Sequence, residues 1–231
     1  MKKIGLVGGL GPASTVEYYL GIIEKTRIEQ GADVYPEIVI DSVNMSQHDK
    51  ALMEKNYDKL CDYLLESLSN LKAAGAEIAA ITANTEHIVW NMICDRLPLP
   101  VISIIDATVR EIKQKGFKKV LVFGTMFTLK SGLYEHALTQ EGITAIIPSD
   151  SDVSIIGSLI YPNMENGIVI PEDRQKLIDM AEKYISEEKA DSMILGCTEL
   201  PLAIKPYDVS VPVINTTEIH MKEIYRSATE G

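Results

Sequence analysis

The stretch KKIGLVGG at residues 2–9 decides the fold, and KKVLVFGT at residues 118–125 repeats it. Each stretch begins with two lysines, continues with aliphatic and β-branched residues, and ends in small residues, as a buried strand does where it passes into a loop. Amphipathic stretches alternate with these runs and predict one helix from about Ser14 to Glu29 and another from Tyr57 to Ala74. This alternation predicts an α/β fold with parallel sheets.

Two further pairs of segments match between the halves of the chain. AEIAAITANTE (76–86) matches ADSMILGCTE (190–199), and LPVISIIDAT (99–108) matches VPVINTTEI (211–219). All the matches occur in the same order and at nearly constant separation. We therefore interpret the chain as a duplication, with a general similarity among βαβ units as the alternative.

The duplication predicts two similar Rossmann-like lobes whose parallel sheets are related by a pseudo-twofold axis. The predicted N-terminal lobe comprises residues 1–98 plus 210–231, and the predicted C-terminal lobe comprises residues 99–209. Ligands of open parallel sheets bind beyond the carboxyl ends of the strands. We therefore expect the active site in the interlobe cleft, where those strand ends face each other.

The charge of the chain excludes several classes of partner. The 231 residues include 33 acidic and 22 basic side chains, which gives a formal net charge of −11. Such a charge repels nucleic acids and anionic membrane surfaces. No apolar run reaches the ~18 residues that a membrane span needs, and the N-terminus lacks the apolar core of a signal peptide. We expect a cytoplasmic protein with a small-molecule substrate.

The cysteines indicate chemistry rather than disulfides or metal binding. Cys61, Cys94 and Cys197 are an odd number in a chain with no export signal, and no CxxC or clustered His/Cys spacing predicts a zinc site. Cys61 and Cys94 follow helical apolar patterns and are interpreted as packing residues. Cys197 follows a strand and precedes a predicted helix, whose dipole would lower the thiol pKa. We predict a reactive thiolate there, the alternative being a buried structural cysteine.

A glycine loop follows the first strand. Gly8, Gly9 and Gly11 precede Pro12 in GGLGP, but the GxGxxG spacing of dinucleotide sites is absent. No acidic residue closes the second strand as a ribose would require. The loop is therefore interpreted as one that offers backbone N–H groups, including that of Gly9, to a small anionic ligand at a helix start.

Four motifs together resemble the aspartate/glutamate racemase family. They are GGLGPAST (8–15), ANTEH (83–87), LIYPNMENG (159–167) and GCTE (196–199), and the resemblance runs nearly end to end. It implies an amino-acid racemase that uses no cofactor and forms a homodimer. It also implies that two cysteines act on opposite faces of the substrate α-carbon, one removing a proton and the other supplying one.

The resemblance assigns roles to residues of both predicted turns. Cys197 corresponds to the second catalytic cysteine. Asn84, Thr85 and Thr198 match positions that hold the α-carboxylate and amino group of the substrate, and Thr125 would line the same cleft. Ala83 stands where the family has its first catalytic cysteine.

The methyl group of Ala83 cannot transfer a proton, which leaves three explanations open. Position 83 is a laboratory substitution, or the chain belongs to a natural single-cysteine subgroup, or Thr82 takes the role. The last is disfavoured because adjacent strand residues point to opposite faces. The family's arginine for the distal carboxylate has Lys50 as its nearest match, and Glu165 occupies the position of the family's lysine. Solvent-exposed charge is the alternative for both.

The sequence therefore predicts a cofactor-independent isomerase of the aspartate/glutamate racemase type, with Cys197 as acid/base and with activity impaired or lost through Ala83. Two alternatives remain. One is a lyase or decarboxylase that uses Cys197 alone, as the similar arylmalonate decarboxylases do when they protonate an enolate after loss of CO₂. The other is a catalytically silent amino-acid-binding module.

Overall fold

The computed structural model of the chain describes residues 1–161 and 163–230, without the side chain of Glu165. It divides into two compact units. The first contains Met1–Ile104 and the C-terminal segment from His220, and the second contains Ile105–Ile219. Each unit is built on a four-stranded parallel sheet.

The first unit begins with a strand and alternates strands with helices. Its elements are β1 (Ile4–Gly8), α1 (Pro12–Gln30), β2 (Ile38–Ser42), α2 (Met45–Met53), α3 (Tyr57–Ala73), β3 (Ile78–Ile81), α4 (Trp90–Ile93) and β4 (Val101–Ile102). Short 3-10 helices span Thr85–Val89 and Cys94–Arg96. The strand order in the sheet is β2-β1-β3-β4.

The second unit repeats this plan after a connecting helix. The elements are α5 (Ile104–Lys115), β5 (Lys119–Gly124), α6 (Met126–Lys130), α7 (Leu133–Gln140), β6 (Thr144–Ile146), α8 (Asp150–Ile160), α9 (Pro171–Glu188), β7 (Ser192–Gly196), α10 (Leu200–Ala203) and β8 (Val213–Asn215). The last helix, α11 (Thr216–Thr229), begins in the second unit and belongs to the first from His220 onward. A 3-10 helix spans Met164–Asn166. The strand order is β6-β5-β7-β8, the counterpart of the order in the first unit.

Equivalent strands of the two sheets end in equivalent ways. Val7 of β1 lies opposite Ile81 of β3, and the corresponding Phe123 of β5 lies opposite Leu195 of β7. The predicted α/β class with parallel sheets is confirmed, and the predicted duplication agrees with the repeated strand order.

The units change over at residues that differ from the predicted lobe boundaries. β4 pairs with β3, so residues 99–104 belong to the first unit, and β8 pairs with β7, so residues 210–219 belong to the second. The boundaries therefore fall after Ile104 and Ile219 rather than after residues 98 and 209. Strand pairing decides the assignment because the ladder hydrogen bonds of a short strand need the neighbouring strand.

The C-terminal helix completes the core of the first unit. Ile224 and Ala228 of α11 are buried with Tyr18 and Ile22 of α1 against the sheet. Each such aliphatic or aromatic side chain contributes roughly 1.5–3 kcal/mol by leaving water. His220 also accepts a hydrogen bond at Nδ1 from the Tyr18 hydroxyl (2.8 Å) and donates from Nε2 to the carbonyl of Ile102 (2.8 Å). The last helix thus joins α1 to the edge of the first sheet.

The core of the second unit extends to the end of β7. Phe123 and Leu195 of the sheet are buried with Leu177 of α9, and Cys197 and Leu200 belong to the same apolar cluster. Cys197 is 5% exposed. Its thiol is therefore shielded from water at the point where the strand becomes a turn.

Candidate active site

The glycine loop of the first unit is held by contacts to the residues around it. Gly9 has a positive φ of 80°, and a Cβ added to it would lie 2.5 Å from the carbonyl oxygen of Val43. The position therefore requires glycine, because the loop passes close to the backbone after β2. The N–H of Gly9 donates to Oγ1 of Thr15 at 2.9 Å. In the ligand-free chain, Thr15 therefore accepts the N–H of Gly9, and the expectation that the loop offers backbone N–H groups to an anionic ligand stays a prediction.

The turn after β3 is held by backbone contacts on both sides of Ala83. Thr82 donates from both its N–H and its hydroxyl to the carbonyl of Val7, at 3.1 and 2.9 Å. Its own carbonyl accepts from the Ser14 hydroxyl at 3.2 Å. Ala83 is buried and presents only a methyl group. The hydroxyl of Thr82 is already donated to the carbonyl of Val7.

His87 supports this turn through the backbone of Ala83. Its Nδ1 lies 3.1 Å from the Ala83 carbonyl oxygen, so this nitrogen carries the proton and donates it. The ring stacks on Trp90 with centroids 5.4 Å apart. Burial lowers the pKa of His87 to about 4, so the ring is neutral at pH 7. Asn84 is buried directly before the 3-10 helix that Thr85 begins.

The equivalent edge of the second unit carries hydroxyl and thiol groups. Thr125 follows Gly124 at the end of β5, and its Oγ1 accepts from the Thr128 N–H at 3.1 Å, which caps α6. Cys197 follows Gly196, the residue that pairs with Gly124. The sheet thus brings Thr125 and Cys197 to neighbouring strand ends, as the sequence predicted.

Cys197 is hydrogen-bonded to a carboxylate. Its thiol donates to Oε2 of Glu199 at 2.8 Å, and the hydroxyl of Thr198 donates to the same oxygen at 2.9 Å. Burial, together with the negative charge and the hydrogen bond of Glu199, holds the pKa of the Cys197 thiol well above its usual range. The prediction of a low-pKa thiolate is therefore wrong for the ligand-free chain.

The helix that follows Cys197 is too short for its dipole to lower the pKa of the thiol below the usual value. α10 has four residues and begins at Leu200, three positions after the thiol. Two backbone N–H groups, of Glu199 and Leu200, lower the thiol pKa, but burial and the Glu199 carboxylate raise it more. A helix of one turn supplies few aligned peptide dipoles, so its end carries little field.

Lys50 and Glu165 are the two residues predicted to bind a distal carboxylate of the substrate. No described contact places either of them at these strand ends. Lys50 lies on α2 with its side chain 68% exposed, 3.8 Å from the carboxylate of Glu54. Surface pairs of this kind contribute little to stability. Glu165 is in the 3-10 helix Met164–Asn166, but its side chain lies outside the described part of the structure.

Glu199 is the functional candidate that the sequence analysis did not assign. It lies two residues after Cys197 in GCTE, and that spacing on a tight turn is the signal for a carboxylate able to fold back onto the thiol. The residues after β3 also carry a glutamate, Glu86 in ANTE, which lies three residues after Ala83 rather than two and is buried. Residue type alone does not show which of the two carboxylates meets a thiol.

A comparison with protein families identifies the family of the chain. A model of the Asp/Glu/Hydantoin racemase family matches residues 7–224. The chain belongs to this family. The racemase-family match includes the glycine loop, both strand-end turns and the segment around Glu165, so every position assigned above lies inside it.

Individual relatives of this racemase family cover the chain almost completely. The chain is 26% identical to the broad-specificity amino-acid racemase RacX of Bacillus subtilis (strain 168), across 93% of this chain and 92% of RacX. The structure of an aspartate racemase homologue from Pyrococcus horikoshii OT3 is 35% identical, with a TM-score of 0.87 over 99% of this chain and 100% of that one. The aspartate racemase of Picrophilus torridus is 25% identical, with a TM-score of 0.77 over 98% and 94%.

The described residues offer neither a metal site nor a membrane-spanning helix. Among residues 1–161 and 163–230, no group of three or more His, Cys, Asp or Glu side chains is arranged to hold a metal ion. Within the same residues, no helix is long and apolar enough to cross a membrane. The end of β7 in the second unit holds a thiol hydrogen-bonded to a carboxylate, a pair that is suited to acid–base chemistry.

Proposed function

We propose that this member of the racemase family exchanges the α-proton of a free amino acid through Cys197, without a cofactor, and that Ala83 impairs inversion of the α-carbon. The observation that carries the proposal is the thiol of Cys197, at the end of β7, donating to Glu199 inside a family match that spans residues 7–224. The names of the relatives, amino-acid racemase and aspartate racemase, support a free amino acid as substrate.

The proton balance follows from the thiol–carboxylate pair. Glu199 takes the proton of Cys197, and the thiolate then removes the α-proton, so that the C–H bond breaks and an S–H bond forms. The electron pair remains on the substrate, where the α-carboxylate delocalises it. Return of a proton from the thiol restores the C–H bond on the same face. If that proton has exchanged with water, the α-position becomes labelled without inversion.

The substrate itself assists the first transfer. In the ligand-free chain, burial and Glu199 hold the thiol protonated by raising its pKa. A bound amino acid brings an ammonium group, and a nearby positive charge favours the ionised form of an acid. We therefore expect substrate binding to lower the pKa of Cys197 and to make it a base only when a substrate is present.

Hydroxyl and amide groups of the strand-end turns are the proposed binding groups. Thr125 and Thr198 flank the thiol in the second unit, and Asn84 and Thr85 occupy the equivalent turn after β3. Gly9 contributes by the close approach of its loop, and in the ligand-free chain its N–H is donated to Thr15. We propose Lys50 as the contact to an acidic side chain, with Glu165 opposing it.

The test is α-proton exchange followed separately from inversion. The chain is incubated in D₂O with both enantiomers of acidic, neutral and basic amino acids. NMR then reports loss of the α-proton signal, and circular dichroism reports inversion. We expect exchange of one enantiomer at an enzymatic rate with much slower inversion. Equal rates of exchange and inversion would show that position 83 needs no cysteine.

A second candidate function is favoured by the same protonated thiol. A decarboxylase that uses one cysteine needs a resting thiol that can protonate the carbanion left by loss of CO₂, and the raised pKa of Cys197 supplies that state. Release of CO₂ from disubstituted malonates would favour this function. Saturable binding of amino acids without exchange or CO₂ release would favour an amino-acid-binding module.

The setting of the activity is proposed on the family resemblance. We infer a cytoplasmic homodimer, because members of the family that the motifs resemble are commonly dimers and the net charge of −11 disfavours anionic surfaces. Sedimentation of the full chain as a monomer at micromolar concentration would contradict the dimer.

A further inference from the structure

A buried tyrosine of the second unit packs against the strand end that carries Cys197. Tyr134 is the second residue of α7 and is 1% exposed. Leu138, one turn later on the same face of the helix, is buried as well. This face of α7 therefore points into the second unit, and the function proposed above gives Tyr134 no role.

The ring of Tyr134 contacts the backbone of Gly196, the residue directly before Cys197. A Cβ added to Gly196 would lie 3.1 Å from Cε2 of Tyr134 and 3.0 Å from the carbonyl oxygen of Phe123. Both distances are tighter than ordinary contacts of a Cβ atom, so glycine is the residue that lets the strand lie this close to the ring. The position of the ring thus limits where the end of β7 can lie.

The phenol group of Tyr134 leads to the residue before Gly196. It hydrogen-bonds the side chain of Thr216, the first residue of α11. Thr216 is fully buried, and its hydroxyl donates to the carbonyl oxygen of Leu195 at 2.9 Å. A hydroxyl has one hydrogen, so the Thr216 oxygen is left to accept from the phenol. The contacts of Tyr134 therefore reach Leu195 and Gly196, the last two residues of β7.

Burial keeps the phenol of Tyr134 in its donor form. It raises the pKa of this phenol well above its usual range, although the neighbouring hydroxyls of Thr108 and Thr216 oppose the rise. The group is therefore protonated at neutral and mildly alkaline pH. A buried hydroxyl with a fixed partner restricts the ring that carries it more than an apolar side chain of the same shape would, because the bond has a preferred direction.

We propose that Tyr134 is a positioning residue for Cys197, holding the end of β7 so that the thiol keeps its direction toward Glu199 and the substrate α-carbon. The inference rests on the function proposed above. The helix after Cys197 has one turn and begins three residues later, so it adds little support, and the contacts before the thiol matter more. Displacement of a reacting group by about 1 Å costs up to about 10²-fold in rate.

The first experiment measures kcat and KM of α-proton exchange for Tyr134→Phe, which removes the hydroxyl and keeps the ring. We expect kcat to fall by about tenfold to 10²-fold at unchanged KM, because the residue acts on the thiol and not on substrate binding. Tyr184→Phe is the matched control. It removes a hydroxyl of the same unit that contacts Ser149 and Asp152, and it should leave kcat unchanged. An equal loss of kcat in both variants would overturn the proposal.

The second experiment needs no turnover. Iodoacetamide labelling is followed by peptide mapping at one alkaline pH, with buried Cys61 of the first unit as the internal reference. Tyr134→Phe and Thr216→Val should each raise the labelling rate of Cys197 relative to Cys61 several-fold, because a loosened strand end opens more often. The double variant should gain little over either single one, since both residues belong to the same chain of hydrogen bonds.

The two readouts separate this inference from the proposed function. If the unaltered chain exchanges no α-proton, the proposed function fails, and the labelling ratio still tests whether Tyr134 holds the thiol. If the ratio stays unchanged in Tyr134→Phe and in Thr216→Val, Tyr134 is a packing residue and the proposal is wrong. Thermal unfolding of Tyr134→Phe beside Tyr184→Phe shows whether both variants remain folded at the assay temperature.

Discussion

The strand ends of β3 and β7 are equivalent in the duplicated fold but hold different chemistry. After β7, the thiol of Cys197 donates to Glu199. After β3, the side chain at the matching position is a methyl group, and the neighbouring hydroxyl of Thr82 is committed to Val7. The comparison teaches that contacts to the backbone, and not the side chain at position 83, hold the turn after β3.

The largest expected effect comes from removing the only thiol at these two ends. Cys197→Ser should reduce α-proton exchange by about 10²–10⁴-fold, because a hydroxyl is a far weaker acid than a thiol and a positioned acid/base group contributes that much. Exchange in D₂O followed by NMR measures it. Cys94→Ser is the matched control. Cys94 is partly exposed and lies in a 3-10 helix distant in sequence from Cys197, so this variant should exchange the α-proton at the rate of the unaltered chain. Undiminished exchange by Cys197→Ser would remove Cys197 from the mechanism.

Introducing a cysteine at position 83 should allow the chain to invert the α-carbon of its substrate. Ala83→Cys places a second thiol at the position equivalent to Cys197 and should raise the rate of inversion by at least about 10²-fold for the amino acid whose α-proton the chain already exchanges. Circular dichroism with both enantiomers is the measurement. Ala83→Ser, nearly the same size, is the control and should leave inversion slow.

A failed restoration has a definite meaning. If Ala83→Cys inverts no amino acid in the acidic, neutral and basic panel, the decarboxylase or the binding-module reading replaces the racemase. Glu165→Lys belongs in the same panel, because it should shift activity toward acidic substrates if that residue meets the side chain.

Acid should weaken the first unit more than the second. His48, His87 and His220 are buried in the first unit, whereas His136 of the second is exposed. Burial lowers the pKa of His87 to about 4 and that of His220 to about 3. In the unfolded chain these rings take up protons near pH 6.5, so stability is complete above that pH and falls as the pH drops toward 4. His87 alone contributes on the order of 3 kcal/mol to this loss.

Trp90 provides the readout for the first unit. It is the single tryptophan of the chain and stacks on His87. Urea unfolding followed by its fluorescence should shift to lower urea between pH 7 and 4.5, while hydrogen exchange of β5 and β7 changes less. An equal loss of protection in both sheets would contradict the assignment to the buried histidines.

The smallest expected effect concerns the thiol–carboxylate pair. Glu199→Gln removes the charge that helps to raise the pKa of Cys197, so the pH midpoint of iodoacetamide labelling at Cys197 should fall. Peptide mapping across pH measures the rate. In the unaltered chain Cys94 should be labelled before Cys197, because Cys197 is buried and protonated. Faster labelling of Cys197 near neutral pH would show that its pKa is not raised.

The sequence predicted the long elements and their duplication because their patterns are strong. Five consecutive buried residues form β1, and the helices predicted near Ser14 and Tyr57 exist as α1 and α3. The unit boundaries were not predictable from pattern, because β4 has two residues and β8 has three. Strands that short carry no periodicity, and their sheet is chosen by pairing with residues distant in sequence.

The site was predictable in position and not in electrostatics. The strand-to-turn pattern correctly placed Cys197 at the end of β7 and Ala83 at the end of β3. The sign of the pKa shift of Cys197 depends on the length of the next helix, on packing against Leu195 and Leu200, and on the fold-back of Glu199. These are three-dimensional facts that residue spacing does not encode.

The return of the C-terminal helix to the first unit has a consequence for the order of events during synthesis. The second unit, Ile105–Ile219, is one uninterrupted stretch of chain, whereas the first needs Ile224 and Ala228 to cover Tyr18 and Ile22. Chains emerge from the ribosome N-terminus first and domains fold as units. The residues before Ile105 must therefore wait for Ile224 and Ala228, which are made after the second unit, and the second unit is free to fold before the first.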